Sequence, residues 1–218
     1  MTEAEWVSAT DPTPMLEFLR GKASDRKLRL FAVACCLRLL DRAQVSQRAK
    51  REVQVAERYA DSLASPGELE EARCYSNSTA EHACMNTTEA EGGVIMADCA
   101  AGNAAWAAAE HGAQPPDHNG LSPVFNARLI VEQSSQSKIV RCIFNPFHPI
   151  SLNPSWQTST VLALAQGIYQ DRAFDRLPIL ADALQDASCD NPDLLNHLRS
   201  EGPHTRGCWA LDLLLNRE

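Results

Sequence analysis

The sequence predicts an all-α fold, a multi-helix bundle of about nine to eleven helices. Three observations predict it. Apolar residues recur at helical spacing along most of the chain, as in "FAVACCLRLL" and "LPILADALQDA". Cap residues stand in front of many of these stretches. No series of alternating β-branched segments is present that would make a sheet. With 218 residues, 44% of them apolar and 22% charged, the chain has an ordinary globular composition and can bury a sizeable core.

Each element has a local reason. "TEAE" fits a capping box, with Thr2 as N-cap and Glu5 three residues on. In "TPMLEFLR", Thr13 is the expected cap and Pro14 takes the first helical position, where its missing N–H costs nothing. Ser24 caps the next helix, whose Leu30, Phe31, Ala34 and Leu37 form a wide apolar stripe. A helix over 47–64 carries Val55, Tyr59 and Leu63 inward and Arg48, Arg51 and Arg58 outward. Ser65, Pro66 and Glu68 repeat the cap signature.

One helix is expected over 67–90, although its Ser, Thr and Asn residues compete by bonding the backbone locally. "VIMADCAAGNAAWAAAEH" reads as a helix whose small residues admit close neighbours. The clearest loop is 112–123, with three prolines and two glycines. "VFNARLIVEQSSQSKIVRCIF" is helical again. "NPFHPISLNPSW", residues 145–156, is irregular, with turns at Asn145-Pro146 and Asn153-Pro154. Four helical stretches close the chain. Asp175 is the expected cap of the second, and Asn191 with Pro192 starts the third. One domain over 1–218 is favoured, with a sub-division at 112–123 as the alternative.

Charge is uneven. Residues 1–60 carry a net +3, 61–127 a net −9 and 128–218 a net −2. An acidic middle argues against a broad phosphate-binding surface, which needs Lys and Arg, so nucleic acid is not the expected partner. "RAKREV" reads as a solvated helix face. No run of about 18 apolar residues suggests a membrane span. The acidic, polar start does not read as a secretory signal, and a cytoplasmic location is expected. In that compartment the eight cysteines are expected to be free, with Cys35 and Cys36 acting as small core hydrophobes.

"TDPTPMLEFLRGKASDRKLRLFAVACC", with "NPFHPI", "FDRLPILADALQDASCD" and "GPHTRGCWALDLLL", resembles an uncharacterised family of bacterial proteins abundant in planctomycete-type genomes. The likeness covers both ends and most of the C-terminal half, and it is weak over about 70–135. The family typically has Cys-Cys-Arg-Arg where this chain has Cys35-Cys36-Leu37-Arg38. It often has His-Cys where this chain has His197-Leu198. The resemblance implies a shared fold and carries no established activity.

The sharpest chemical candidate is Cys189, His197, His204 and Cys208, four ligands of the type that tetrahedral zinc takes. Seven, six and three residues separate them, so none forms a tight Cys-x₂-Cys knuckle. The bland alternative is a helix end, a Gly-Pro turn and a helix start. Cys208 with His204 also reads as a thiol–imidazole dyad. A middle group holds Cys74, His82, Cys84, Cys99 and His111, with Glu81, Asp98 and Glu110 nearby. There the glutamates directly precede the histidines, about 100° away on a helix, which is wrong for a carboxylate di-metal site. Asp25, Arg26, Asp171, Arg172, Asp175 and Arg176 read as structural ion pairs. Phe147, His148 and Trp156 mark a candidate aromatic groove for a protein partner.

With no nucleophile elbow or phosphate loop in view, the expected function is a non-catalytic helical protein-interaction module. The alternative is a metal- or thiol-dependent enzyme, or a structural zinc protein, using the Cys/His residues of 189–208.

Overall fold

The structure, a computed structural model, describes every residue except 41–45, 73–78, 88–93, 111–122 and 218, and it leaves undescribed the side chains of 79–82, 94–96, 109–110 and 123. Among the described residues the chain is all-α, with twelve α-helices, two 3₁₀ turns and no strand. It divides into two compact units, Met1–Val140 and Arg141–Glu218. The sub-division considered at 112–123 falls almost wholly outside the described residues.

In the first unit, α1 (Glu3–Ser8) starts on the expected capping box. The Glu5 N–H donates to Thr2 Oγ1 at 3.3 Å, and the Thr2 N–H donates to Glu5 Oε2 at 2.7 Å. α2 (Pro12–Phe18) starts one step earlier than expected. Asp11 is its cap, accepting from the Thr13 N–H at 3.0 Å, and Pro12 takes the first position. A carboxylate followed by proline is the stronger start, since proline has no N–H to satisfy.

α3 (Asp25–Leu40) begins at Ser24, which accepts from the Lys27 N–H. α4 (Gln47–Ala60) stops short of the expected Ala64. Ser62 turns left-handed at φ 59°, leaving Leu63 exposed. Asp61, just past the helix, instead receives Arg26 at 3.0 Å. The helix expected over 67–90 is described as α5 (Pro66–Ala72) and α6 (Thr79–Asn86), with 73–78 outside the described residues.

α7 (Val94–Glu110) buries Ala97, Ala100, Ala101, Ala104 and Ala105, and it packs on α3 and α6. Alanine faces let helix axes approach closely, as the small residues predicted. α8 (Pro123–Ile143) is tied to α3 by a two-pronged Arg38–Glu132 pair and to α7 by Gln136 Nε2 donating to the Ala101 carbonyl. The unit boundary falls near the C-terminal end of α8.

The second unit holds the last residues of α8, a 3₁₀ turn at Pro154–Trp156, α9 (Ser159–Asp171), a 3₁₀ turn at Phe174–Arg176, α10 (Leu177–Asp186), α11 (Pro192–Arg199) and α12 (Trp209–Leu215). Asn191 caps α11 as predicted, accepting from the Leu194 N–H at 2.9 Å. Asp175 does not cap α10. It lies inside the 3₁₀ turn, and Arg176 takes the cap position without a side-chain bond. Val161, Ile168, Leu177, Leu180, Leu194 and Leu211 build the core of this unit. No helix among the described residues is long and apolar enough to cross a membrane.

Candidate metal centre

Four short-range features converge in the second unit. The final turn of α8 carries Cys142 into the core at 3% exposure. The final turn of α11 carries His197. The helix ends at Ser200, and the Gly202-Pro203 turn returns the chain to His204. Gly207 then adopts φ 85°, a left-handed angle that would strain any side-chain-bearing residue, and the chain turns so that Cys208 starts α12. The Cys208 thiol does not cap that helix; it faces the histidines instead.

One ligand atom from each of Cys142, His197, His204 and Cys208 lies within 4.8 Å of all the others. His197 Nε2 is 3.2 Å from Cys208 Sγ, and His204 Nδ1 is 3.6 Å from Cys142 Sγ. A tetrahedral zinc with Zn–S of about 2.3 Å and Zn–N of about 2.0 Å needs ligand atoms about 3.3–3.8 Å apart. These two separations therefore match within a few tenths of an ångström, and the widest pair needs closure by only about 1 Å.

Supporting contacts fix the ring of His204. Its Nε2 lies 3.1 Å from the Ser200 carbonyl oxygen. A carbonyl only accepts, so Nε2 carries a proton, and Nδ1 is the nitrogen that faces the cluster. Metal-bound histidines are characteristically oriented in this way. Ser200 Oγ is itself held by the His197 carbonyl at 2.8 Å, which links the supports of the two histidines. The His197 ring packs against Trp209, with centroids 4.8 Å apart.

The surroundings move the two thiols in opposite directions. The hydrogen bond with Cys208, together with burial, pushes the Cys142 thiol well above its ordinary range. Burial opposes ionisation of Cys208 too, yet hydrogen bonds from Cys142, His197 and His204 hold that thiol well below its ordinary range. His204 is raised: burial works against its charged form, but the hydrogen bond and charge of Cys208 outweigh it. A divalent cation would replace these protons and take two thiolates, giving a neutral site in a low-dielectric setting.

Of the four residues singled out in the sequence, the structure brings together His197, His204 and Cys208. Cys189 is not among them. It follows α10, its N–H donates to the Leu184 carbonyl, and its side chain packs in the core at 3% exposure. Burial pushes its thiol up. Cys142 takes the fourth place from the other side of the irregular segment. Its signal was weak: a cysteine in the last turn of a helix, beside "NPFHP", with no nearby ligand in sequence.

The other candidates fare differently. Trp156 is 6% exposed and packs in the core of the second unit. His148 is exposed and faces Asp193 at 3.3 Å, while Phe147 is half-buried. In the middle group, Cys74 and His111 lie outside the described residues, as do the side chains of His82, Glu81 and Glu110. Cys84 is buried and hydrogen-bonded with Cys36, whereas Cys99 is exposed. Cys35 and Cys36 are free and buried, as expected of small core hydrophobes. Arg26 finds Asp61, and Arg172 ends α9 in a left-handed cap.

No protein-family model, curated protein or solved structure matches this chain. The functional reading therefore rests on the site itself.

Proposed function

We propose that the chain is a structural zinc protein, in which Cys142, His197, His204 and Cys208 hold one Zn²⁺. The observation that carries this reading is the convergence of two sulfurs and two imidazole nitrogens within 4.8 Å. Sulfur and imidazole together select zinc among the abundant divalent ions. Four protein ligands leave no open position for water or substrate, which favours a structural over a hydrolytic role. The ion would staple the end of α8, α11 and the start of α12 in a unit of about 80 residues, a size at which such staples matter.

The function that fits a closed site is non-catalytic: a helical module that binds a protein partner through its surface. A cytoplasmic, reducing compartment suits eight cysteines that include two zinc-type ligands. Membership of the bacterial family that the sequence resembles is part of the same proposal.

Thiol catalysis is the second reading, favoured by the 3.2 Å His197–Cys208 contact. It is weaker because Cys208 has 0% exposure, so substrate cannot reach its sulfur.

Native mass spectrometry of the full chain tests the proposal, with Co²⁺ substitution as the geometric probe. One ion per chain, together with thiolate-to-cobalt charge transfer and strong tetrahedral d–d bands, is expected. A metal-free mass in excess zinc, or octahedral cobalt bands, would overturn it.

A further inference from the structure

The two sulfurs of the centre come from elements far apart in sequence, yet they lie within 4.8 Å of each other. They would also supply all of the anionic charge on the metal, because both remaining ligands are neutral imidazoles. We infer that the centre is a redox switch, in which peroxide closes a Cys142–Cys208 disulfide and expels the zinc. The inference rests on the zinc reading above.

The chemistry balances with hydrogen peroxide as the oxidant. The sulfur of Cys142, a residue 3% exposed against 0% for Cys208, attacks a peroxide oxygen, the O–O bond breaks, and the departing hydroxide takes a proton to leave as water. The attacking sulfur is now a sulfenic acid. The second thiolate attacks that sulfur, the S–O bond breaks, and the second hydroxide leaves as water with another proton. Two sulfurs lose two electrons, which the peroxide gains. Two thiolates, one peroxide and two protons become one disulfide and two waters.

A disulfide sulfur is a poor ligand for zinc, so the ion keeps only His197 and His204 and leaves. Cys189, the nearest alternative in sequence, lies outside the converging group and is not expected to exchange into the bridge. Cys36 and Cys84 form a second hydrogen-bonded sulfur pair, but both have 0% exposure and no imidazole beside them is described.

The test uses the zinc-loaded full chain, treated with hydrogen peroxide and read in two ways. A chromogenic chelator counts released zinc. Non-reducing tryptic mass spectrometry follows the peptides Cys142–Arg172 and Gly207–Arg217, each of which holds a single cysteine. The expected result is one zinc released per cross-linked peptide pair, reversed by dithiothreitol and added zinc, and unchanged in Cys189→Ser. Zinc released without that cross-link, or a cross-link formed with zinc retained, would overturn the switch while leaving the zinc site standing. A chain that takes up no zinc before oxidation would overturn both readings.

Discussion

Cys142 and Cys189 offer a matched pair of perturbations. Both are cysteines of the second unit, both are 3% exposed and both pack in the same core. Replacing either by alanine removes one buried sulfur, worth about 1 kcal/mol of burial. Only Cys142 lies among the converging ligand atoms. With zinc held about 1,000-fold above its dissociation constant, a bound ion adds about 4 kcal/mol to the folded state. Cys142→Ala should therefore lose about 5 kcal/mol in zinc, against about 1 kcal/mol for Cys189→Ala.

In a unit of about 80 residues, a gap of that size moves the melting temperature by about 15–30 °C. Amide hydrogen exchange of α11 and α12 is the assay, since it reads the opening free energy of this unit directly. With a strong chelator present, the two variants should converge at the packing cost. Equal losses in zinc would refute the ligand assignment. A gap that persists undiminished in chelator would show that Cys142 acts through packing alone.

Other perturbations test the frame around the site. Arg38→Ala strips the buried Glu132 carboxylate of two hydrogen bonds, at 2.7 and 3.0 Å, and should cost about 3 kcal/mol in urea unfolding. Asn191→Ala removes the cap of the helix that carries His197, and it should cost about 1 kcal/mol and weaken zinc binding by less than about tenfold. Acid should weaken zinc binding. Cys142 is pushed well above its ordinary range and His204 is raised, so zinc displaces protons from both, and the bound state holds fewer protons than the free one. Affinity therefore falls as pH drops, by about tenfold per pH unit while Cys142 alone gives up a proton. The slope steepens once His204 also protonates. A competition titration with a metal-sensing dye at several pH values measures the slope, and a flat profile would contradict it.

The legible parts of the fold were the local ones. Thr2 with Glu5, Ser65 with Glu68 and Asn191 with Pro192 act over three residues or fewer, and their hydrogen bonds stand where the sequence put them. α4 was overrun because periodicity cannot register a competing pair. Asp61 sits just past its end and is claimed by Arg26, 35 residues away in sequence. Arg38 meets Glu132 across 94 residues, and nothing in the pattern of either helix names the other. Asp175 looked like a cap because it precedes Leu177-Pro178, but a 3₁₀ turn absorbs it before the helix begins.

The site divides along the same line. His197, His204 and Cys208 lie on one helix–turn–helix passage, and their convergence follows from a helix end, a Gly-Pro turn and the left-handed Gly207. The fourth member of the cluster comes from elsewhere, and sequence distance favours Cys189. Tertiary packing decides otherwise. Cys189 leaves α10 already enclosed by the core, whereas Cys142 approaches from α8, 62 residues before His204, and meets its ring. A knuckle reads its metal from one short motif because both thiolates share a turn. Here each sulfur comes from a separate element, so an ion would bind only once those elements have packed. Metal affinity and the order of the second unit should therefore rise and fall together, whichever of them is perturbed.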